Sequence, residues 1–262
     1  IIKNITFKGK KLNNIEYSKY LNSEILRKMK LTKKQNYFLG VTINSKEIKK
    51  GNLFIAIKGE NKDGHNFTYS AIKNGANLCV VSKIKKEKNK KKYLKVRNTK
   101  TFLNKFAFLK RNQSNAKIIA ITGSSGKTTV KTLIAKTLLK FSPTHYSPKS
   151  FNNHYGVPLS LSNLEHNHSF GVFEIGMSKT GEIHNLSKLV KPDIGIITNV
   201  AEAHIENFKN LKGIAKAKGE IIGNINKGGT LILNKDDKYF KYFQKNAFKK
   251  NIKVNSFGIY NN

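Results

Sequence analysis

The run Ile118-Ile119-Ala120-Ile121-Thr122-Gly123-Ser124-Ser125-Gly126-Lys127-Thr128-Thr129-Val130 constrains this chain more than any other. Its apolar start reads as a buried strand, a loop of small residues follows, and a helical pattern continues to about residue 140. That order suits a phosphate cradle. Glycines let backbone N–H groups converge on an anion, and the helix aims its positive end at the same point. Lys127 is placed to reach the outer phosphates, and the Thr128 hydroxyl to sit on a bound Mg²⁺. Gly123, Ser124, Ser125, Gly126 and Thr129 complete the candidate cradle. The loop is a tighter variant of the general pattern, because Ile121 stands where a glycine is usual. The reading is a chain that handles ATP together with Mg²⁺.

Composition bounds the remaining choices. At 262 residues the chain holds one large domain or two modest ones. The formal net charge is +35, and Arg27, Arg97 and Arg111 are the only arginines. A surface selected to read nucleic acid favours arginine, whose planar fork pairs bidentately. Lysine, asparagine and isoleucine share A/T-rich codons, so base bias accounts for the charge, and no specific nucleic-acid partner is expected. Cys79 is the single cysteine, which excludes an internal disulfide and a cysteine-based metal site; its run Leu78-Cys79-Val80-Val81 makes it a core residue. No apolar stretch approaches the ~20 residues that span a bilayer. A monomer in a reduced, cytoplasmic setting is expected.

The fold class expected is α/β: a small N-terminal α/β domain, then a parallel-sheet ATPase domain of phosphate-loop type. In residues 1–112, strands are expected at 52–57 and 77–82, a short helix at 67–73 and a connecting helix at 101–112, with 83–92 a solvated charged loop. In residues 113–262, strands are expected at 117–122, 170–175, 193–198, 229–234 and 252–257. Helices are expected at 127–140 and near 180–190, 210–225 and 236–248. Such alternation implies parallel pairing, with ligands gathered beyond the carboxyl ends of the strands.

Polar residues at those strand ends are the candidate site. Acidic residues number fifteen, so a carboxylate ending an apolar strand is informative. Glu174, in Gly171-Val172-Phe173-Glu174-Ile175-Gly176, calls for a cation partner: Mg²⁺ beside ATP, or one of the many lysines. His204 follows the third of these strands, behind Asn199, and is either a second metal ligand or an ordinary loop histidine. Asn152 and Asn153 either read a polar substrate or cap a helix. Lys216 and Lys218, on a helix otherwise facing solvent, read by themselves as surface lysines.

Several of these segments, in this order, resemble the Mur ligases of peptidoglycan synthesis. The carrying residues are Thr122 to Thr128, Asn152-Asn153 with Gly156-Val157-Pro158, and Glu174-Ile175-Gly176-Met177 with Gly181-Glu182-Ile183. Asn199-Val200-Ala201-Glu202-Ala203-His204-Ile205-Glu206 and Ala215-Lys216-Ala217-Lys218-Gly219-Glu220 complete the set. The N-terminal region resembles the family's uridine-nucleotide domain, with Asn44-Ser45-Lys46 in place of the usual Asp-Ser-Arg. The resemblance implies an ATP-dependent ligase that joins D-alanyl-D-alanine to a UDP-muramoyl-tripeptide through an acyl phosphate. It implies that Lys127 and the loop amides hold phosphates, with Asn199 beside them, and that Thr128 and Glu174 bind one Mg²⁺ and His204 a second. It further implies that Lys218 (or Lys216) is carbamylated, that Ser45 touches the uridine nucleotide, and that Asn152 and Asn153 face the muramoyl-peptide. Family members continue into the rest of the ATPase domain and a C-terminal domain, so the chain is expected to be a fragment that binds nucleotide but ligates poorly alone. Alternatives are another Mur or folylpolyglutamate-type amide ligase, or a basic ATPase responsive to nucleic acid.

Overall fold

The computed structural model describes residues 5–7, 10–32, 36–84, 90–203 and 205–260. Contacts divide the chain into two compact units, residues 1–113 with the loop 165–167, and residues 114–164 with 168–262.

The first unit opens with a two-stranded antiparallel ribbon, β1 (Ile5–Phe7) and β2 (Lys10–Leu12), and the helix α1 (Asn14–Lys28). A four-stranded parallel sheet then runs in the order β3 (Val41–Thr42), β4 (Leu53–Ile55), β5 (Leu78–Val81), β6 (Tyr93–Lys95). The helix α2 (Thr68–Lys73) crosses between β4 and β5, and α3 (Thr99–Gln113) closes the unit. Cys79 is fully buried with Phe54, Ala71 and Val81, as its apolar neighbours require. The charge-rich stretch 83–92 is described only at 83–84 and 90–92, where a single 3₁₀ turn leads into β6.

α1 is absent from the expected elements, because its buried face carries Ser18, Asn22 and Ser23 beside Ile25 and Leu26 and so shows little apolar period. Its start was nevertheless written in the residues: Asn13 accepts from the Glu16 N–H at 3.0 Å and the Glu16 carboxylate accepts from the Asn13 N–H at 2.9 Å, a reciprocal cap.

The second unit is a six-stranded parallel sheet, ordered β12-β11-β10-β7-β9-β8. In chain order its elements are β7 (Lys117–Thr122), α4 (Lys127–Leu139), β8 (Thr144–Tyr146), α5 (Gly156–Ser162), β9 (Phe170–Glu174), α6 (Glu182–Val190) and β10 (Ile194–Ile197). Then come α7 (Leu211–Gly219), β11 (Thr230–Asn234), α8 (Phe240–Phe248) and β12 (Lys253–Phe257). β7, β9 and β10 are near-continuous apolar runs because helices cover both faces of a parallel sheet. Ile119, Ile121, Val172 and Ile196 pack under α4, each contributing about 1.5–3 kcal/mol of burial.

Two expected elements are corrected. The helix near 210–225 ends at Gly219 and gives way to a 3₁₀ turn over Glu220–Asn224, and the helix near 236–248 begins only at Phe240. β8 and α5 are absent from the expected elements, since each is too short to show a period. Among the described residues no helix is long and apolar enough to cross a membrane.

The strand order positions the site. From β7 the chain steps outward on one side to β8 and β9, then crosses to β10 on the other. The carboxyl end of β7 is therefore a topological switch point, where doubly wound sheets leave a crevice. Register brings Ile121 opposite Glu174 and Thr122 opposite Ile197, so the ends of all three strands share one level.

Candidate functional site

The loop after β7 turns on two glycines. Gly123 has φ +152°, and a Cβ there would lie 1.8 Å from Thr198 Oγ1. Gly126, at φ +76°, ends the loop and sets the first turn of α4. The first intrahelical bond runs from Val130 N–H to Gly126 carbonyl, so the N–H groups of Lys127, Thr128 and Thr129 have no acceptor within the helix.

The loop is held from the β10 side. Ser124 N–H donates to the Asn199 carbonyl at 3.0 Å, and Ser125 N–H to Asn199 Oδ1 at 3.0 Å. Ser124 Oγ donates to the Ala201 carbonyl at 2.9 Å and accepts from its N–H at 2.8 Å. The Thr198 hydroxyl donates to the Ser125 carbonyl at 2.6 Å. Lys127 lies back along the loop and donates to the carbonyls of Gly123 (2.8 Å) and Ser124 (3.1 Å). Burial lowers its pKa, and the Glu174 carboxylate opposes that shift.

Glu174 closes β9, 1 % exposed. Its Oε2 accepts from the Thr128 hydroxyl at 2.7 Å and its Oε1 from Asn152 Nδ2 at 2.8 Å. Lys131 Nζ stands 3.7 Å from Oε2, equally buried, and also donates to the Lys149 carbonyl. Of the two partners open in the sequence, a lysine is thus in place, and it is one that motif reading passed over. The available signal was spacing: Lys131 lies one helical turn beyond Lys127 on the same face.

A cleft of about 400 Å³ opens beside the loop, lined by Gly123, Ser124, Lys127, Asn152, Asn153, Met177, Glu182 and Lys218, among others. Asn153 exposes its side chain there, yet Oδ1 accepts from the Tyr155 and Gly156 N–H groups and so caps the start of α5. Lys216 is exposed, but Lys218 is not the surface lysine its helix suggested: it is 3 % exposed. Burial, reinforced by the nearby Lys127 charge, lowers its pKa to about 7. The next acidic residue fixes this region, since Glu220 accepts from the N–H groups of Gly181 (2.8 Å) and His184 (3.0 Å) at the start of α6. Glu182 folds back onto Ser178; burial pushes its pKa up, but the N–H groups of Ser178 and Lys179 and the Ser178 hydroxyl prevail and hold it below the ordinary value.

Lys127, Thr128, Glu174, Asn152, Asn153, Asn199 and Lys218 are therefore gathered in the second unit. Ser45 lies in the first, buried in a 3₁₀ turn capped by Asn44, with its carbonyl accepting from Asn74 Nδ2 at 3.0 Å. His204 lies outside the described residues.

The donor set fits a hard divalent cation. One carboxylate and one hydroxyl meet where phosphate oxygens would lie, and Mg²⁺ takes one or two carboxylates with phosphate and water. Among the described residues no three acidic, histidine or cysteine side chains cluster as an all-protein cage would need.

A strand, a glycine turn and a helix, with a buried carboxylate ending the adjacent parallel strand, define a phosphate-loop α/β domain. The chain belongs to the Mur ligase family: residues 121–262 match the Mur ligase middle domain, and 38–111 match the Mur ligase family, catalytic domain. It is similar to the UDP-N-acetylmuramoyl-tripeptide–D-alanyl-D-alanine ligase of Rickettsia prowazekii (strain Madrid E), 42% identical over 195 residues, covering 74% of this chain and 43% of that protein. The ligase of the same name from Escherichia coli (strain K12) is 36% identical over 197 residues, covering 75% and 43%. Among solved structures, MurF from Acinetobacter baumannii superposes with a TM-score of 0.77 at 31% identity, covering 90% of this chain and 52% of that one. MurF ligase from Thermotoga maritima in complex with ADP gives 0.71 at 30% identity, covering 85% and 51%. The chain spans about half the length of the relatives it matches.

Proposed function

We propose that this chain carries the ATP-handling half of a ligase that joins D-alanyl-D-alanine to a UDP-muramoyl-tripeptide. The observation that carries the reading is the buried Glu174 carboxylate, bonded to Thr128 beside Lys127, with Lys218 lining the same cleft. The names of the relatives at 36–42% identity support the substrate pair, and the ADP-bound Thermotoga maritima structure supports the nucleotide.

In this reading the terminal carboxylate of the tripeptide attacks the γ-phosphorus of ATP. The bond to the bridging oxygen breaks and ADP leaves, giving an acyl phosphate. The free amine of D-alanyl-D-alanine then attacks the acyl carbon, phosphate departs, and the amine proton is lost to water. The protein's share is positioning and charge neutralisation. Lys127 swings from the loop carbonyls to the β- and γ-phosphates, whose oxygens also take the first-turn N–H groups of α4. Thr128 and Glu174 would hold Mg²⁺, which when bound would screen the repulsion between an anionic nucleophile and a polyanion. His204 is assigned the second metal position by the family motif alone.

Lys218, with a pKa of about 7, keeps much of its amine neutral at physiological pH. A neutral amine adds CO₂ and releases a proton, converting a buried cation into a carbamate that can bind metal. Asn152 and Asn153 face the muramoyl-peptide, and Ser45 serves the uridine nucleotide in the first unit. A cytoplasmic location suits such substrates.

The test is phosphate release from ATP with each substrate omitted in turn, with hydroxylamine present to trap an acyl phosphate. Release that needs the UDP-muramoyl-tripeptide, and product formation with D-alanyl-D-alanine but not with a free amino acid, support the reading. Product formation with a free amino acid would move the chain to a sibling ligase.

A further inference from the structure

The stretch between β8 and α5 carries Asn152 and Asn153 into the cleft, and it is held in shape by a residue that contacts neither. Lys149 sits at φ +49°, a left-handed conformation that a side-chain-bearing residue adopts at a cost. Its carbonyl is thereby turned inward and accepts from Lys131 Nζ, a buried ammonium on the phosphate-loop helix. The same ammonium faces Glu174 at 3.7 Å. From the other side Asn152 donates to Glu174, and its carbonyl accepts from the Gly176 N–H at 2.8 Å. Lys131 and Glu174 thus grip this loop at two points while Glu174 also holds Thr128.

We propose that Lys131 is a positioning residue that ties loop 147–153 to the phosphate-loop helix, linking occupancy of the phosphate site to the placement of Asn152 and Asn153. The physical basis is competition for one carboxylate. Whatever approaches Glu174 and Thr128 alters the balance of charge that Asn152 and Lys131 share. Lys131 alone among these groups also grips the loop backbone, so a change at the carboxylate reaches Lys149. The inference rests on the nucleotide reading above and adds to it a route between the two substrate positions.

The experiment is amide hydrogen exchange on the protein with and without MgADP, in wild type, K131M and K131R, with MgADP affinity measured in parallel. In wild type, MgADP should change exchange at Phe151, Asn152 and Gly176. In K131M those amides should exchange roughly tenfold to hundredfold faster without nucleotide, and their response to MgADP should shrink to what the direct Asn152–Glu174 and Thr128–Ser150 contacts carry, while Ile119 and Val172 stay protected. K131R, which keeps the cation, should restore both. If K131M is globally unfolded, K131M combined with E174Q strands no charge, and the loop should still be fast because the Lys149 carbonyl has lost its donor. Exchange at the loop in K131M equal to wild type, or an unchanged MgADP response, overturns the inference. Failure of wild type to bind MgADP overturns instead the nucleotide reading on which it rests.

Discussion

The Thr128 hydroxyl donates to Glu174 Oε2 at 2.7 Å, so one hydrogen bond joins the start of α4 to the end of β9. Removing the hydroxyl takes the hydrogen-bond donor from a buried carboxylate oxygen and leaves it the Lys131 ammonium at 3.7 Å. T128V is therefore expected to lose about 1–2 kcal/mol in urea unfolding and roughly tenfold or more in MgADP affinity, with T128S close to wild type. Wild-type affinity in T128V would remove Thr128 from the phosphate site.

Gly123 is constrained twice, by its φ of +152° and by Thr198 Oγ1 at 1.8 Å from any added Cβ. G123A should cost about 2–5 kcal/mol. T198A removes the Oγ1 collision but also the hydroxyl bond to Ser125, and leaves a Cβ 3.0 Å away, so measured against T198A alone G123A should cost less than in wild type but not nothing. No cost in that background would show that space alone requires glycine here.

Asp63 accepts from Lys83 Nζ at 2.8 Å, from His65 N–H at 3.0 Å, and pairs with His65 Nδ1 at 2.6 Å. The Lys83 ammonium chiefly, then the His65 groups, hold its carboxyl well below the usual carboxylate range, against the effect of burial. Such a group contributes stability above its unfolded pKa of about 4, and that contribution fades as pH falls below it. D63N should be less stable than wild type at pH 7 by about 1 kcal/mol, the gap closing below about pH 4. Parallel stability curves for the two proteins would contradict this.

For Lys218 too stability rises with pH, but here the charged form is the one that folding disfavours. Between its folded pKa of about 7 and its unfolded value near 10.4, the unfolded chain binds the extra proton, so stability rises with pH across that window. In CO₂-free buffer, K218M should be more stable than wild type at and below pH 7, on the order of 2 kcal/mol, with the difference shrinking toward pH 10. Urea titrations across that range are the measurement.

The parallel sheet of the second unit was legible because its strands are apolar runs set between helices: residues 117–122 were read as the strand that forms, and 229–234 and 252–257 came within one residue. That Lys127, Thr128 and Glu174 meet was legible for the same reason, since strand ends share one level in such folds. What escaped depended on distant neighbours. Spacing puts Lys131 on the face of Lys127 but does not say that it is buried, and nothing local says that Lys218 faces inward while Lys216 faces water. Asn153 was readable either as substrate contact or as cap, and its bonds to Tyr155 and Gly156 show the second without excluding the first.

Asn199 and Ala201 clasp the glycine turn through Ser124 and Ser125. A receptacle whose shape is held by its own chain spends little entropy on capture. Discrimination among anions then falls mainly to residence time, with arrival rates much alike for every polyphosphate that fits.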